Sequence, residues 1–504
     1  MSRSSPFRAA LLALVATLLF GASAHAAIVH NPHVSAAIPV TATSHPFGAA
    51  NQTGVPEDLS KVGYKETEHL VSGRANVYTW PAPGPAKVRT ANAPYTTRVL
   101  VRQPRDPRRF SGRVIVEMLN PSNLFDLNIG WAMMHRQMIR DGDAWVGITA
   151  KPIAIEALKT FDPKRYAKLS FANPLPLTDP RNCQTVASDS SRTTENGLVW
   201  DIYSQVGKWV RSTAASNPLS RRHSRVKKVY GFGYSQTGGF MYDYINAISP
   251  LAKRAGGKPI FDGYIVAVAG GAFAGLYPIN QCEPAPPVGD PRRQFKNVGV
   301  PIIHFMSQSD YLAGIASRRP DSDAKADRYR GYEMAGAGHA TPDELYYAAK
   351  PADIIKAGRA VPPAACNEGP RSRFPSWMFF DAGLRNLDAW VTNGTKPPRV
   401  SPITVQNGAP VLDQYGNVQG GLRSPFLDVP TSVWSGTSTG ASFCFIAGHE
   451  SPFSVAQLHA LYSSQADYVS KVQADVNDLV DQGVITQPDG DMLAFLATQA
   501  PQIP

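Results

Sequence analysis

Short runs of β-branched and aromatic residues recur along the chain, separated by stretches whose apolar positions repeat at helical spacing. Thr97–Val101, Arg113–Leu119, Ala144–Thr149, Val226–Phe232, Phe261–Val268 and Val300–Met306 are runs of this kind. Between them, Ile129–Asp141 places Trp131, Met134 and Met138 on one helical face, and Asn196–Ala215 does the same with Trp200, Tyr203, Val206 and Val210. A third helix is predicted over Thr237–Ile248, directly after a strand. Strands that are apolar throughout, alternating with helices, predict a mostly parallel sheet covered on both faces. The fold class is therefore α/β, as one large domain with insertions.

The regions outside that alternation are expected to decorate it. Residues 27–90, rich in Ala, Pro, Thr and Gly, read as an N-terminal arm of short strands. Residues 151–195 and 272–296 are long and Pro-rich, the usual sign of binding elements or lids, and predict cap-like insertions. Within them, Phe171–Leu177 and Phe273–Ile279 offer apolar and aromatic side chains suited to a pocket wall or to a packed loop. A C-terminal extension over 355–504 adds a helix near Trp377–Val391, a Gly-rich turn and an amphipathic stretch at Val455–Ala474.

Composition narrows the class. The 504 residues are 43% hydrophobic and 18% charged, which suits a large core and excludes a mostly disordered chain. Lysine and arginine exceed acids by 50 to 39, a formal charge of +11. That balance raises nucleic-acid binding, but the basic residues are scattered. Their densest cluster, Arg221, Arg222, His223, Arg225, Lys227 and Lys228, contains no aromatic residue and reads as solvated surface. No nucleic-acid partner is expected.

The first residues read as an address. Arg3 and Arg8 precede the apolar stretch Ala9–Phe20, and Ala24-His25-Ala26 supplies small residues where a signal peptidase cuts. Residues 1–26 are therefore expected to be a signal peptide, the apolar stretch being short for a membrane span. A secreted or periplasmic protein without stable membrane insertion follows. In such a compartment Cys183, Cys282, Cys366 and Cys444 are expected to form two disulfides. Three pairings are possible, with four free thiols as the alternative. Cys183–Cys282 with Cys366–Cys444 is the preferred one, and it would staple the two insertions together.

Candidate chemistry begins at Gly233-Tyr234-Ser235-Gln236-Thr237-Gly238-Gly239, where a strand ends and a helix opens. This is the setting of a nucleophile elbow, a tight strand-to-helix turn that lifts a serine hydroxyl clear of the sheet. Thr237 stands where glycine is usual. A serine hydroxyl needs a base, and in this setting the partners follow in the order acid, then histidine. Asp310 lies just beyond the run Val300–Met306, whereas Glu283, Asp290, Asp321, Asp323 and Asp327 end no predicted strand. His339 follows a short strand and two glycines, Gly336 and Gly338. His304 sits inside an apolar run and reads as a core residue, leaving His449 and His459 as competitors.

An oxyanion formed at the attacked carbonyl needs fixed donors. The N–H of Gln236 is expected to be one. The other is expected from Asn120, Ser122 or Asn123 in the loop after Arg113–Leu119, since Pro121 has no N–H. Tyr234, beside the nucleophile, and Asn123 are placed as substrate contacts. No metal or organic cofactor is called for.

The chain resembles the long bacterial proteins with an α/β-hydrolase domain, from about Ser111 to Ala497. The resemblance rests on Val116-Glu117-Met118-Leu119-Asn120-Pro121-Ser122, Trp145-Val146-Gly147-Ile148-Thr149 and Gly233-Tyr234-Ser235-Gln236-Thr237-Gly238. It continues through Leu387-Asp388-Ala389-Trp390-Val391 and Tyr415-Gly416-Asn417-Val418-Gln419-Gly420-Gly421-Leu422-Arg423-Ser424-Pro425. It implies an α/β-hydrolase fold and a Ser-acid-His triad, carried onto Ser235, Asp310 and His339. Relatives often carry an acid where Gln308 stands, so the resemblance leaves the role either shifted to Asp310 or weakened. The expected activity is hydrolysis of carboxylic esters, on a small or polymeric substrate. A secreted peptidase or amidase is the alternative within the same chemistry, and a non-catalytic binding protein on a hydrolase scaffold the alternative outside it.

Overall fold

The computed structural model describes residues 27–184, 191–220, 225–270, 278–296, 298–500 and 503. The expected leader, Arg221, Arg222 and His223 of the basic cluster, and 271–277 of the second insertion lie outside the described residues. Ten strands share one sheet: β1 His33–Val34, β2 Tyr64–Thr79, β3 Lys87–Pro104, β4 Arg113–Leu119, β5 Ala144–Thr149, β6 Lys228–Tyr234, β7 Gly263–Ala267, β8 Ile302–Ser307, β9 Ser322–Ala324 and β10 Asp327–Met334. Their spatial order is β9-β10-β8-β7-β6-β4-β5-β3-β2-β1.

The six strands from β10 to β5 run parallel. Five of them are apolar runs read from the sequence, shifted by at most a few residues, and the sixth is β10; the remaining run, Thr97–Val101, lies in β3, which pairs antiparallel. Helices cover both faces, as two adjacent residues of β6 show. Phe232 turns toward the Trp377–Thr392 helix, its ring 6.5 Å from Phe380. Gly231 turns the other way, where a Cβ would meet Tyr203 of the Val199–Trp209 helix at 2.6 Å.

The N-terminal arm differs from the short strands expected. The 16-residue β2 pairs antiparallel with the 18-residue β3 along almost its whole length, and β3 joins the parallel block through β5. Two of the acids that disguised β2, Glu66 and Glu68, are matched by buried arginines. Arg98 reaches Glu68 at 2.8 Å and Asp126 at 2.9 Å, Arg165 also holds Glu68, and Arg102 pairs with Glu66 at 2.7 Å. Charges are tolerated inside only when matched in this way.

The predicted amphipathic stretch Val455–Ala474 is two helices, Val455–Leu461 and Gln465–Asp481. Ser464 breaks it, because its side chain accepts the Asp467 N–H and starts a new helix. The first insertion opens with a helix over Pro152–Phe161, proline in its first turn. Disulfides join Cys183 to Cys282, linking the two insertions, and Cys366 to Cys444 within the C-terminal extension. No helix among the described residues is long and apolar enough to cross a membrane.

Candidate active site

Strand β6 delivers Ser235 to the carboxyl end of the parallel strands in a left-handed backbone conformation, φ 55° and ψ −119°. A non-glycine residue holds such a conformation only where its surroundings enforce it. Here the enforcement is close packing on both sides of the turn. A Cβ on Gly233 would lie 2.3 Å from the Thr237 carbonyl oxygen, and one on Gly238 2.5 Å from that of Ala267. Thr237 has a positive role. Its hydroxyl accepts from the Tyr234 N–H and donates to the Tyr234 carbonyl, both at 3.1 Å, closing the turn with a side chain. Tightness thus falls on Gly233 and Gly238, leaving the intervening position free to carry a hydroxyl.

The predicted residues converge. His339 Nε2 lies 2.7 Å from Ser235 Oγ, and His339 Nδ1 lies 2.8 Å from Asp310 Oδ1. The other carboxylate oxygen of Asp310 accepts from the Ser307 hydroxyl and main-chain N–H. Both Asp310 and His339 are buried. Burial disfavours protonation of His339, but the Asp310 carboxylate outweighs it, with help from Glu344, and holds the imidazole pKa above its ordinary value. Gln308 points elsewhere, its side-chain oxygen accepting from the Gly336 N–H at 2.7 Å.

The competing residues lie elsewhere, His459 exposed on the Val455–Leu461 helix. His304 is buried between the Tyr329 hydroxyl and the Ala269 carbonyl, and burial pushes its pKa down to about 4. His449 bonds to Thr437 and Ser438. Among the acids, Glu283 takes the Trp80 N–H, Asp290 pairs with Arg292, Asp321 and Asp323 with Arg330, and Asp327 with Arg319.

Two expectations need correction, those for Tyr234 and Asn120. Tyr234 is buried rather than facing substrate; its hydroxyl donates to the His339 carbonyl at 2.6 Å. Asn120 is a brace: its N–H goes to the Leu127 carbonyl, its side-chain amide donates to the Tyr234 carbonyl at 2.7 Å, and its side-chain oxygen accepts from Ser122 N–H at 2.8 Å. That last bond also uses the Ser122 N–H, leaving the Ser122 hydroxyl and Asn123 facing the cleft. Gln236 opens the helix Gln236–Asp243, where first-turn N–H groups have no intrahelical partner.

Sequence reasoning missed the contribution of the C-terminal extension. The Ile446 carbonyl accepts from the N–H groups of His339 at 2.8 Å and Ala340 at 3.0 Å. Ser309 Oγ links the same strand end to the Gly436 and Ile446 carbonyls, and accepts from the His339 N–H. Phe443 and Ile446 line the cleft beside Ser235, with Glu344 and Arg371 on its wall. Glu344, five residues after His339, carried a faint sequence signal; Arg371 carried none. No described residue of the two insertions lines this cleft.

The family described as "Alpha/beta hydrolase domain" matches residues 29–494. No curated protein matches the chain. Similar solved structures include esterase B from Lactobacillus rhamnosis, 9% identical, covering 68% of this chain and 89% of its own, with a TM-score of 0.31. A fungal esterase from Rhizomucor miehei is 10% identical over 57% and 81%, TM-score 0.29. An alpha-beta serine hydrolase homologue from Coxiella burnetii is 10% identical over 49% and 84%, TM-score 0.25.

Proposed function

The chain belongs to the alpha/beta hydrolase domain family, and we propose that it is a serine hydrolase cleaving carboxylic esters through an acyl-enzyme. The observation that carries this reading is the unbroken hydrogen-bonded chain from Ser235 through His339 to buried Asp310. Ser235 Oγ attacks the acyl carbonyl while His339 Nε2 takes its proton. The Gln236 N–H receives the oxyanion, with the Ser122 hydroxyl or Asn123 as second donor. His339 returns the proton to the departing alcohol, and a water deprotonated by the same nitrogen releases the acid. Asp310 keeps His339 in the tautomer that leaves Nε2 free to accept.

We also propose export. The leader-like residues 1–26 and the two disulfides support an oxidising destination. Labelling with a fluorophosphonate probe tests the catalytic reading. Wild type is expected to label and Ser235→Ala is not; a folded wild type that resists the probe would overturn it.

A further inference from the structure

Two charged side chains in the cleft have no part in the steps above. Arg371 is 2% exposed and Glu344 8%, yet both line the same cleft as Ser235 and His339. Arg371 Nη1 stands 3.7 Å from Glu344 Oε1, beyond hydrogen-bond reach. Among the described residues no acceptor meets Arg371 Nε or Nη2. Buried guanidinium groups ordinarily have their N–H groups satisfied; both orphaned donors here are also covered from solvent, so a partner from outside the chain reaches them only as the cleft wall shifts to admit it.

The identity of the two nitrogens says what that is. Nε and Nη2 form one edge of the guanidinium, with N–H bonds running parallel at the spacing of two carboxylate oxygens. We infer that Arg371 is a specificity-determining residue that receives a carboxylate of the substrate, so that the preferred esters carry a second, anionic carboxyl group a few bonds from the scissile carbonyl. This deepens the serine-hydrolase reading and rests on it. Glu344 fits the role. Burial pushes its carboxyl up to about 7 against the pull of Arg371 and His339. It therefore takes a proton readily when a second carboxylate approaches, and one guanidinium does not face two full negative charges. Leu127, Phe443 and Ile446 supply apolar wall around the pair, which strengthens a charged contact by excluding water.

The test compares matched esters. One pair is mono-4-nitrophenyl succinate and 4-nitrophenyl butyrate, with the charge on the acyl side; the other is acetoxyacetic acid and ethyl acetate, with it on the alcohol side. In at least one pair the anionic member is expected to have a kcat/KM about tenfold higher or more, carried mainly by KM. Arg371→Met is expected to cut that ratio at least tenfold. So is Arg371→Lys, which keeps a charge but not the two-pronged edge and substitutes if the Met variant fails to fold. No preference in either pair, or a ratio unmoved by both variants, overturns the inference. Should wild type turn over none of the four esters and resist fluorophosphonate, the catalytic reading fails separately. Calorimetric titration of Ser235→Ala with monomethyl succinate and with methyl butyrate then decides. Heat from the acid alone, abolished by adding Arg371→Met, retains the carboxylate site, and no heat ends it.

Discussion

Tyr234 holds His339 from beneath: the hydroxyl of the residue before Ser235 donates to the main-chain carbonyl of the proposed base, at 2.6 Å. The two rings also meet edge to face, 5.8 Å between centroids. The elbow and the histidine loop are thus tied to each other as well as to the sheet.

Tyr234→Phe deletes that tie and little else. It leaves a buried carbonyl without its donor, a loss of about 1–3 kcal/mol. Thermal denaturation should show the destabilisation, and steady-state kinetics on an uncharged nitrophenyl ester should show kcat down about tenfold with KM little changed. An unchanged kcat would mean that the Ile446 carbonyl and the Ser309 hydroxyl position the loop without it.

The pH dependence follows from the surroundings of His339. Burial opposes its protonation, and the Asp310 carboxylate more than reverses this, so the pKa lies above 6.5. The base must be neutral to act, and kcat/KM for an uncharged ester should climb with pH through a midpoint above 6.5. Asp310→Asn keeps the burial and removes the charge; it should move the midpoint down and cost about 10⁴-fold in kcat. The stability contribution has the opposite sense. The fold favours protonated His339, so this stabilisation is present below pH 6.5 and lost as pH rises through the folded value. A midpoint indifferent to Asp310→Asn would remove Asp310 from the assignment.

Thr237→Gly gives the elbow its commoner sequence and should weaken it. The threonine hydroxyl satisfies both main-chain groups of Tyr234, and glycine in the first turn of a helix adds backbone freedom. We expect a loss of about 1–3 kcal/mol and slower fluorophosphonate labelling. Equal or faster labelling would show the hydroxyl to be dispensable.

Reducing Cys366–Cys444 should reach the chemistry, whereas losing Cys183–Cys282 should not. Cys444 sits in the segment that lines the cleft and ends at Ile446, whose carbonyl fixes His339. The double serine variant of that pair should lose roughly 4 kcal/mol, as expected for a long closed loop, and most of its labelling. The corresponding Cys183 and Cys282 variant should lose stability while still labelling. Equal labelling in both would separate the C-terminal bridge from the site.

Ser235, Asp310 and His339 were legible because each closes or follows a strand of the parallel block, where an apolar run and a change of composition lie next to the reactive residue. Strand β2 was not, because its Glu66 and Glu68 are matched by Arg102, Arg98 and Arg165, partners distant in sequence that no local pattern reveals. Asn120 stood in the expected loop, but its polar groups are taken by Leu127 and Tyr234, which only the fold brings to it. Tyr234 looked available because it adjoins the nucleophile. In a strand, however, neighbours face opposite ways, and this one faces the core. Arg371 acquires meaning only when the fold sets it beside Glu344.

The carbonyl that fixes His339 belongs to Ile446, far down the chain from the serine it serves. During synthesis Ser235, Asp310 and His339 all emerge before the segment that holds His339 in place. A chain still growing, or one clipped ahead of that segment, carries all three side chains and lacks the wall behind the imidazole. On the proposed reading, hydrolytic competence is a late event in the life of the molecule, gained when the C-terminal extension has docked and its Cys366–Cys444 bridge has closed.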